Sequence, residues 1–470
     1  MDIDNVIAMA TSERSNLKVN LHDRVVEALY QEAGRLTERS VSLPGGPRQW
    51  RLDQVLDRIL TSRVFGFPAM GLLFAGVFWL TIEGANVPSG MLATLLIDHG
   101  ATLLHRWADA LRIPSFVQGL TIDGIYLAAA WVVSVMLPPM AIFFPIFTLL
   151  EDFGYLPRVA FNMDRAFRWA GAHGKQALTM MMGYGCNAAG VVATRIIDSP
   201  RERLIAILTN NFAVCNGRWP TLILVSSIFI GAVVPPALAG AAAAVTVVGV
   251  AIIGIVCTLL VSAFLSRTWL KGQASVFSLE LPPYRPPRLL QTIYTSLIDR
   301  TLIVLWRAVV MAAPAGAVIW LLGNVEVAGQ SMAHWIVQGL DPVGVLIGLN
   351  GVILLAYVVA IPANEIVIPT VLMLTLNLAK SPLAEKGVMI ELTDDVTRRV
   401  LVEHGGWTLL TGINLMLFSL LHNPCSTTIL TIWNETRSKR WTALAVAIPL
   451  ALGFGVCFIT ASAARLFGHH

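Results

Sequence analysis

The sequence predicts an all-α polytopic membrane protein of about eight or nine transmembrane helices, with short broken or re-entrant helices set in two similar repeats. Composition is the first reason: of 470 residues, 56% are hydrophobic and 13% charged, where a soluble domain averages about 25% charged. The second is a series of charge-free runs close to the roughly 20 apolar residues that a helix needs to cross a bilayer. Val64–Ile82, Gly124–Leu150, Gln176–Thr194, Ala308–Val325, Pro342–Asn364, Gly405–Asn434 and Trp441–Ala464 are such runs, and Trp219–Ser266 is long enough for two crossings with Pro235-Pro236 as the turn. The third is the placement of helix breakers beside polar residues inside those runs. Irregular backbone at membrane depth is tolerated only where protein buries it or it lines a cavity.

Taken in order, residues 1–62 form a cytoplasmic helical lead-in. Val25, Val26, Leu29, Tyr30, Ala33 and Leu36 recur at helical spacing among charged residues, which predicts an amphipathic helix ended by Pro44-Gly45-Gly46-Pro47. A second charged helix over Leu52–Thr61 leads into the membrane. The lead-in is polar and the first apolar run is a full span, so no signal peptide is expected. Residues 63–266 make a first membrane half, 267–300 a cytoplasmic or interfacial linker, and 301–466 a second half. Within the first half, Met91–Arg112 has one apolar and one charged face, which suits a helix lying flat at the interface or one packed on its own protein outside the membrane.

Basic residues crowd Arg14–Arg63, Arg267–Arg307 and Arg437–Arg440. The positive-inside bias places these clusters, and the N-terminus with them, in the cytoplasm. They lie beside apolar spans and have no basic domain of their own, which excludes a nucleic-acid binder and leaves membrane lipid as the surrounding partner.

A weak internal repeat organises the polar breaks. Glu151-Asp152, then Gly185-Cys186-Asn187, then Thr194-Arg195 in the first half run in the same chemical order as Asn364-Glu365, His422-Asn423-Pro424-Cys425 and Glu435-Thr436-Arg437 in the second. Broken helices in corresponding positions of two halves point to a substrate site between them. The breaks present Cys186, Asn187, Cys215, Asn216, Asn364, Glu365, His422, Asn423 and Cys425, a set offering sulfur, amide oxygen, carboxylate and imidazole. Borderline transition metals such as ferrous iron accept that mixture, magnesium and calcium want oxygen, and an anion would want Arg or Lys. Glu365 has apolar sequence on both sides, and an intramembrane carboxylate is functional by default. Glu151 and Asp152 end an apolar run and mark either the water interface or the ion path.

The five cysteines all fall in apolar segments, an arrangement unlike a disulfide framework. Cys257 and Cys457 lie in unbroken stretches and read as packing, as do Met180, Met181 and Met182. No Gly-Lys-Ser/Thr phosphate loop, His-Glu-x-x-His pair or nucleophile elbow occurs, so enzymatic activity is not expected of this chain. Two other classes compete with a metal carrier: a transporter of an organic solute such as a nucleoside, and a non-transporting membrane scaffold or sensor.

At these residues the sequence resembles the membrane domain of the ferrous iron transport protein B family. The shared words are Leu150-Glu-Asp-Phe-Gly-Tyr-Leu-Pro-Arg158, Gly183-Tyr-Gly-Cys-Asn187, Asn211-Phe-Ala-Val-Cys215 with Arg218 and Pro220, Leu279-Glu-Leu-Pro-Pro-Tyr-Arg285, Asn364-Glu-Ile-Val367, and Pro424-Cys425 with Glu435-Thr436. The resemblance implies two gate-type repeats and import of ferrous iron across a prokaryotic inner membrane. It also implies that Cys186, Cys215 and Cys425 lie on the path, with Fe2+ as transported substrate and no resident cofactor. The family's N-terminal GTPase domain has no counterpart here, so the expected partners are a separate GTPase docked on the Asp23–Arg39 helix, a small cytoplasmic accessory protein, and a second copy of the chain.

Overall fold

The computed structural model describes residues 21–40, 55–62, 64–172, 174–271, 288–379 and 394–467. The Pro44–Pro47 break, the Leu279–Arg285 word and residues 272–287 of the 267–300 linker lie outside them. Among the described residues, seven helices are long and apolar enough to cross a membrane, or eight if one bent pair counts as a span. The protein is therefore a multi-pass membrane protein. Its one sheet among these residues is a two-residue antiparallel hairpin, β1 (Glu326–Val327) against β2 (Gln330–Ser331).

Helix α1 (Leu21–Ser40) forms as its periodicity predicts. The first span, α2 (Gly66–Ala110), runs without interruption through the segment read as an interfacial helix. At 1.5 Å per residue its 45 residues reach about 67 Å, roughly twice the hydrocarbon thickness. It turns at Arg112, in the left-handed region, and pairs with α3 (Ser115–Asp152). His105 Nε2 meets Asp123 Oδ1 at 2.9 Å, and Tyr126 donates to Leu96 O at 2.8 Å. Met91–Arg112 thus meets α3 through His105, the Leu96 carbonyl and Asp109, which accepts from Gln118, while Leu95, Leu103, Trp107 and Leu111 stay exposed.

Two apolar runs that could be crossings by length do not cross. Gln176–Thr194 breaks at Cys186 into α5 (Gln176–Gly185) and α6 (Asn187–Ala193). A Cβ on Gly190 would lie 2.8 Å from Thr179 O, whereas eleven residues of continuous helix would separate those positions by about 16 Å. The chain has doubled back. Similarly, Pro342–Asn364 divides between α11 (Met332–Leu346) and α12 (Gly351–Val359), bent by 109°. The chain then returns along α13 (Val367–Leu378), so that Asn377 lies near Gly323 at the end of a span. Nine residues of α12 reach about 14 Å, half a bilayer, so both hairpins are re-entrant.

The remaining spans are a broken one over Pro200–Ile230, made of α7 (Pro200–Thr209) and α8 (Trp219–Val225) with its continuation; α9 (Pro236–Arg267); α10 (Leu289–Asn324); a second broken span of α14 (Leu409–Leu421) and α15 (Ser426–Thr436); and α16 (Lys439–Leu466). Amphipathic α4 (Tyr155–Trp169) lies beside the first hairpin. Contacts between span ends sort the molecule into two faces. On one, Asp57 pairs with Arg158, Thr292 donates to Asp152, and Arg195 grips Glu435 at 2.6 Å. This face is rich in arginine. On the other, Asn350 donates to Gly405 O and Asn414 to Ile347 O. The first hairpin enters from the basic face and the second from the opposite one.

The α3–α10 crossing depends on glycine. A Cβ on Gly316 would lie 2.2 Å from Gly124 O, a backbone atom that cannot step aside, and Trp320 lies over Gly119. Gly316→Val is expected to destabilise the protein by about 1–3 kcal/mol, read as a lowered Tm in detergent. Gly455→Ala, with nothing within 4 Å of the new methyl, should not lower it.

Candidate functional site

Four interruptions meet at the centre of the bundle: the tips of the two hairpins and the breaks of the two broken spans. Backbone shape pairs them across the halves. Cys186 (φ −153°, ψ 120°) matches Ala363 (φ −151°, ψ 120°), each followed by asparagine; Cys215 (φ −77°, ψ 164°) matches Cys425 (φ −64°, ψ 159°). This corrects the pairing read from chemical order, in which Cys186 answered to Cys425 and Glu151-Asp152 to Asn364-Glu365. The physical reason is that hairpin tips and span breaks differ in backbone path, and a hairpin tip can carry a thiol in one half and an amide with a carboxylate in the other.

Together they enclose a cavity of about 40 Å³ lined by Cys186, Asn187, Cys215, Asn216, Asn364, Glu365 and Cys425, with Met136 and Met140 of α3 and Thr427 and Thr428 of α15 completing the wall. Each of the four break residues caps the start of a helical segment. Helix starts carry positive partial charge, so the backbone alone opposes a bare cation here. Three thiols and one carboxylate are the groups that reverse that sign when ionised.

Glycine and asparagine make the close approaches. Gly185 lies under the Phe143 ring, where a Cβ would be 1.9 Å from a ring carbon. Asn210 occupies the space left by Gly183 and Gly190 and donates to Asn187 O at 2.9 Å, stitching the first hairpin. The Asn187 amide satisfies its surroundings with its NH2 donating to Gly183 O (3.0 Å) and Ala213 O (3.2 Å). Cys425 Sγ lies 3.2 Å from Thr428 Oγ1.

His422 stands behind the wall, not in it. Its Nδ1 is 2.8 Å from Ser419 O and its Nε2 3.2 Å from Asn364 Oδ1, while its ring packs between Tyr357 and Phe418. A carbonyl only accepts, so Nδ1 carries the proton and Nε2 of the neutral ring is an acceptor. An Asn364 amide turned to present NH2 to Nε2 satisfies both groups, and its oxygen then accepts from the Cys215 thiol, the neighbour at 3.9 Å. Glu151 and Asp152 are exposed at the basic end of α3, away from the cavity, and Asp152 accepts from Thr292. Met180 and Met181 line a separate apolar crevice, and Cys457 donates to Asn414 O. Among the described residues no three His, Cys, Asp or Glu side chains are gathered on one point; the donors line a wall without closing on a centre.

Arg218 is the residue the sequence reading left without a role. It is 1% exposed and donates to Asn211 O (2.9 Å), Leu420 O (3.0 Å), His422 O (3.3 Å) and Asn211 Oδ1 (3.1 Å), while Asn211 donates to His422 O at 2.8 Å. It thereby fastens the Cys215 break to the carbonyl end of α14. A lone arginine between Gly217 and Pro220 in an apolar run was the available signal.

Comparison with known proteins adds to this geometry. The family profile described as nucleoside recognition matches residues 133–229 and 305–439, the two stretches that hold the hairpins and broken spans. The profile described as ferrous iron transport protein B C terminus matches residues 247–299. The chain is similar to the ferrous iron transport protein B family over nearly its whole length. It is 29% identical over 469 residues to the Fe(2+) transporter FeoB of Staphylococcus aureus (strain COL), covering 97% of this chain and 65% of that protein. Against the FeoB of Synechocystis sp. it is 29% identical over 424 residues, 89% of this chain and 64% of the relative. A Porphyromonas gingivalis protein described as a fusion of Fe(2+) transport protein A with FeoB is 24% identical over 449 residues, with 87% of this chain and 51% of that one covered. The chain thus spans just under two thirds of the length of the first two relatives. No solved structure matches it.

Gly217 tests the site directly. A Cβ there would lie 2.2 Å from Glu365 Oε1, and because that oxygen ends a flexible side chain the carboxylate would move without unfolding the protein. Gly217→Ala should keep the wild-type elution profile and Tm in detergent, because only the end of the Glu365 side chain has to move.

Proposed function

We propose that this chain carries ferrous iron across a prokaryotic inner membrane, with the basic face and N-terminus cytoplasmic, through the cavity where the four breaks meet. The observation that carries the reading is the donor set of that cavity: sulfur from Cys186, Cys215 and Cys425, carboxylate from Glu365, and amide oxygen from Asn187 and Asn364. Borderline divalent metals accept mixed sulfur and oxygen ligands. The names of the relatives support iron as the metal. His422 acts from behind by holding the Asn364 amide. The donors converge by side-chain rotation when the ion enters, and a site assembled in that way binds loosely enough to release its cargo.

A nucleoside is the rival suggested by the description of the larger profile match. Small-molecule sites occupy roughly 300–1,000 Å³, and the central cavity has about 40 Å³. A water needs about 10–15 Å³ measured in the same way, so the space suits a small ion with few or no waters and is too small for a nucleoside.

Reconstituted vesicles should take up ferrous iron under reducing conditions, and Cys186→Ala and Cys425→Ala should each lower the initial rate at least several-fold. Unchanged uptake in both variants removes the thiols from the mechanism.

The same reading assigns a partner to α1, whose Val25, Leu29 and Leu36 are exposed: a separate GTPase docks on that apolar face. The fusion protein of Porphyromonas gingivalis supports a small accessory partner as well. Deleting residues 1–40 should abolish co-purification of the GTPase; retention of the GTPase by the truncated chain would refute the docking.

A further inference from the structure

Beside the central cavity lies a second, larger one of about 510 Å³, between the first hairpin and the helices α10 and α15. It shares Val304 and Thr427 with the central cavity. By contrast, the apolar crevice of about 770 Å³ between α2 and α9 shares no lining residue with it. The inner wall of the second cavity is a small-residue ladder on α6, Ala189 and Ala193, one turn apart and both partly accessible. Facing it are Thr427 and Thr431, one turn apart on α15. Its mouth holds Glu151, Lys175 and Arg307.

We infer that this cavity is a cytoplasmic vestibule through which the ion leaves the central cavity, with Thr427 and Val304 forming the partition between the two. The inference rests on the transport reading for the identity of the cargo, but not for the existence or sidedness of the route. Sidedness follows from the mouth, which lies at the basic end of α3 and beside the Arg195–Glu435 pair that clamps the end of α6 to the end of α15. The polar contents suit release. Threonine hydroxyls offer an ion weak neutral ligands along the wall, where the central cavity offers ionisable ones. At the mouth Lys175 is paired with Asp198 at 2.8 Å, Glu151 is negative, and Arg307 is a like charge that disfavours retention of a cation. Thiols and a carboxylate deep, neutral hydroxyls along the wall and a mouth of mixed charge give weaker ligands toward the exit, the order that conduction requires.

The experiment labels Ala189→Cys and Ala193→Cys with a membrane-impermeant maleimide, in spheroplasts and in inverted membrane vesicles, and locates the label by peptide mass spectrometry so that the native cysteines are counted separately. Both positions should be labelled in inverted vesicles and at least tenfold less in spheroplasts. Labelling from the spheroplast side, or from neither, overturns the vestibule. Thr427→Trp should cut ferrous iron uptake at least tenfold while Ala193→Cys in the same chain stays labelled in inverted vesicles, which shows that the fold persists. Full uptake in Thr427→Trp overturns the route, and loss of the Ala193→Cys label with it moves the decision to Ala193→Trp, whose wild-type uptake would overturn it equally. Sided labelling with no iron uptake in any variant, wild type included, sustains the vestibule and rejects iron as the cargo.

Discussion

The Arg218 guanidinium, buried among the carbonyls of Asn211, Leu420 and His422, is the contact on which the centre of this protein depends. Two broken spans, more than two hundred residues apart in the chain, leave unpaired carbonyls in a place with no water to satisfy them. Arg218 supplies donors from one break to the carbonyls of the other, and the partial negative charge at the end of α14 balances its own. Removing one partner from a buried charge typically costs about 3–5 kcal/mol, far more than any exposed ion pair of this molecule contributes. The two breaks, and the cysteines that cap the helices after them, are therefore held in fixed relation.

Around that fixed point the two hairpins supply what differs between the halves. One tip presents Cys186 and Asn187, the other Asn364 and Glu365, on nearly identical backbone. A cavity with pseudo-symmetric walls but unlike side chains gives soft ligands on one side and a carboxylate on the other. His422 and Asn210 position these groups without reaching the cavity, so the wall is built of two layers: the donors, and the amide and imidazole bonds that aim them.

Close approach of backbone, more than apolar mass, sets the tolerances. Gly185 against Phe143 and Gly316 against Gly124 leave no room for a methyl group, and one at Gly217 would displace the Glu365 carboxylate. Side-chain-free positions let helices and hairpin tips converge around a central space of about 40 Å³.

The sequence by itself determined that this is a helical membrane protein, both ends of three of its spans, and which polar residues sit at breaks, while α2, α3, α10 and the Pro200–Ile230 span run nine or more residues beyond the apolar runs that mark them. Hydropathy and breaker residues are local, and local physics governs whether a segment can leave water. Cys186, Asn187, Cys215, Asn364, Glu365 and Cys425 were legible for that reason, since each interrupts an apolar run. Which breaks correspond, that Gln176–Thr194 and Pro342–Asn364 fold back where they had the length to cross, that His422 stands behind Asn364, and that Glu151 and Asp152 lie at the rim were decided by tertiary structure. A break has the same composition whether the chain continues across the membrane or doubles back. Only partners such as Thr179 for Gly190, or Leu420 for Arg218, fix the direction, and they come from distant parts of the fold.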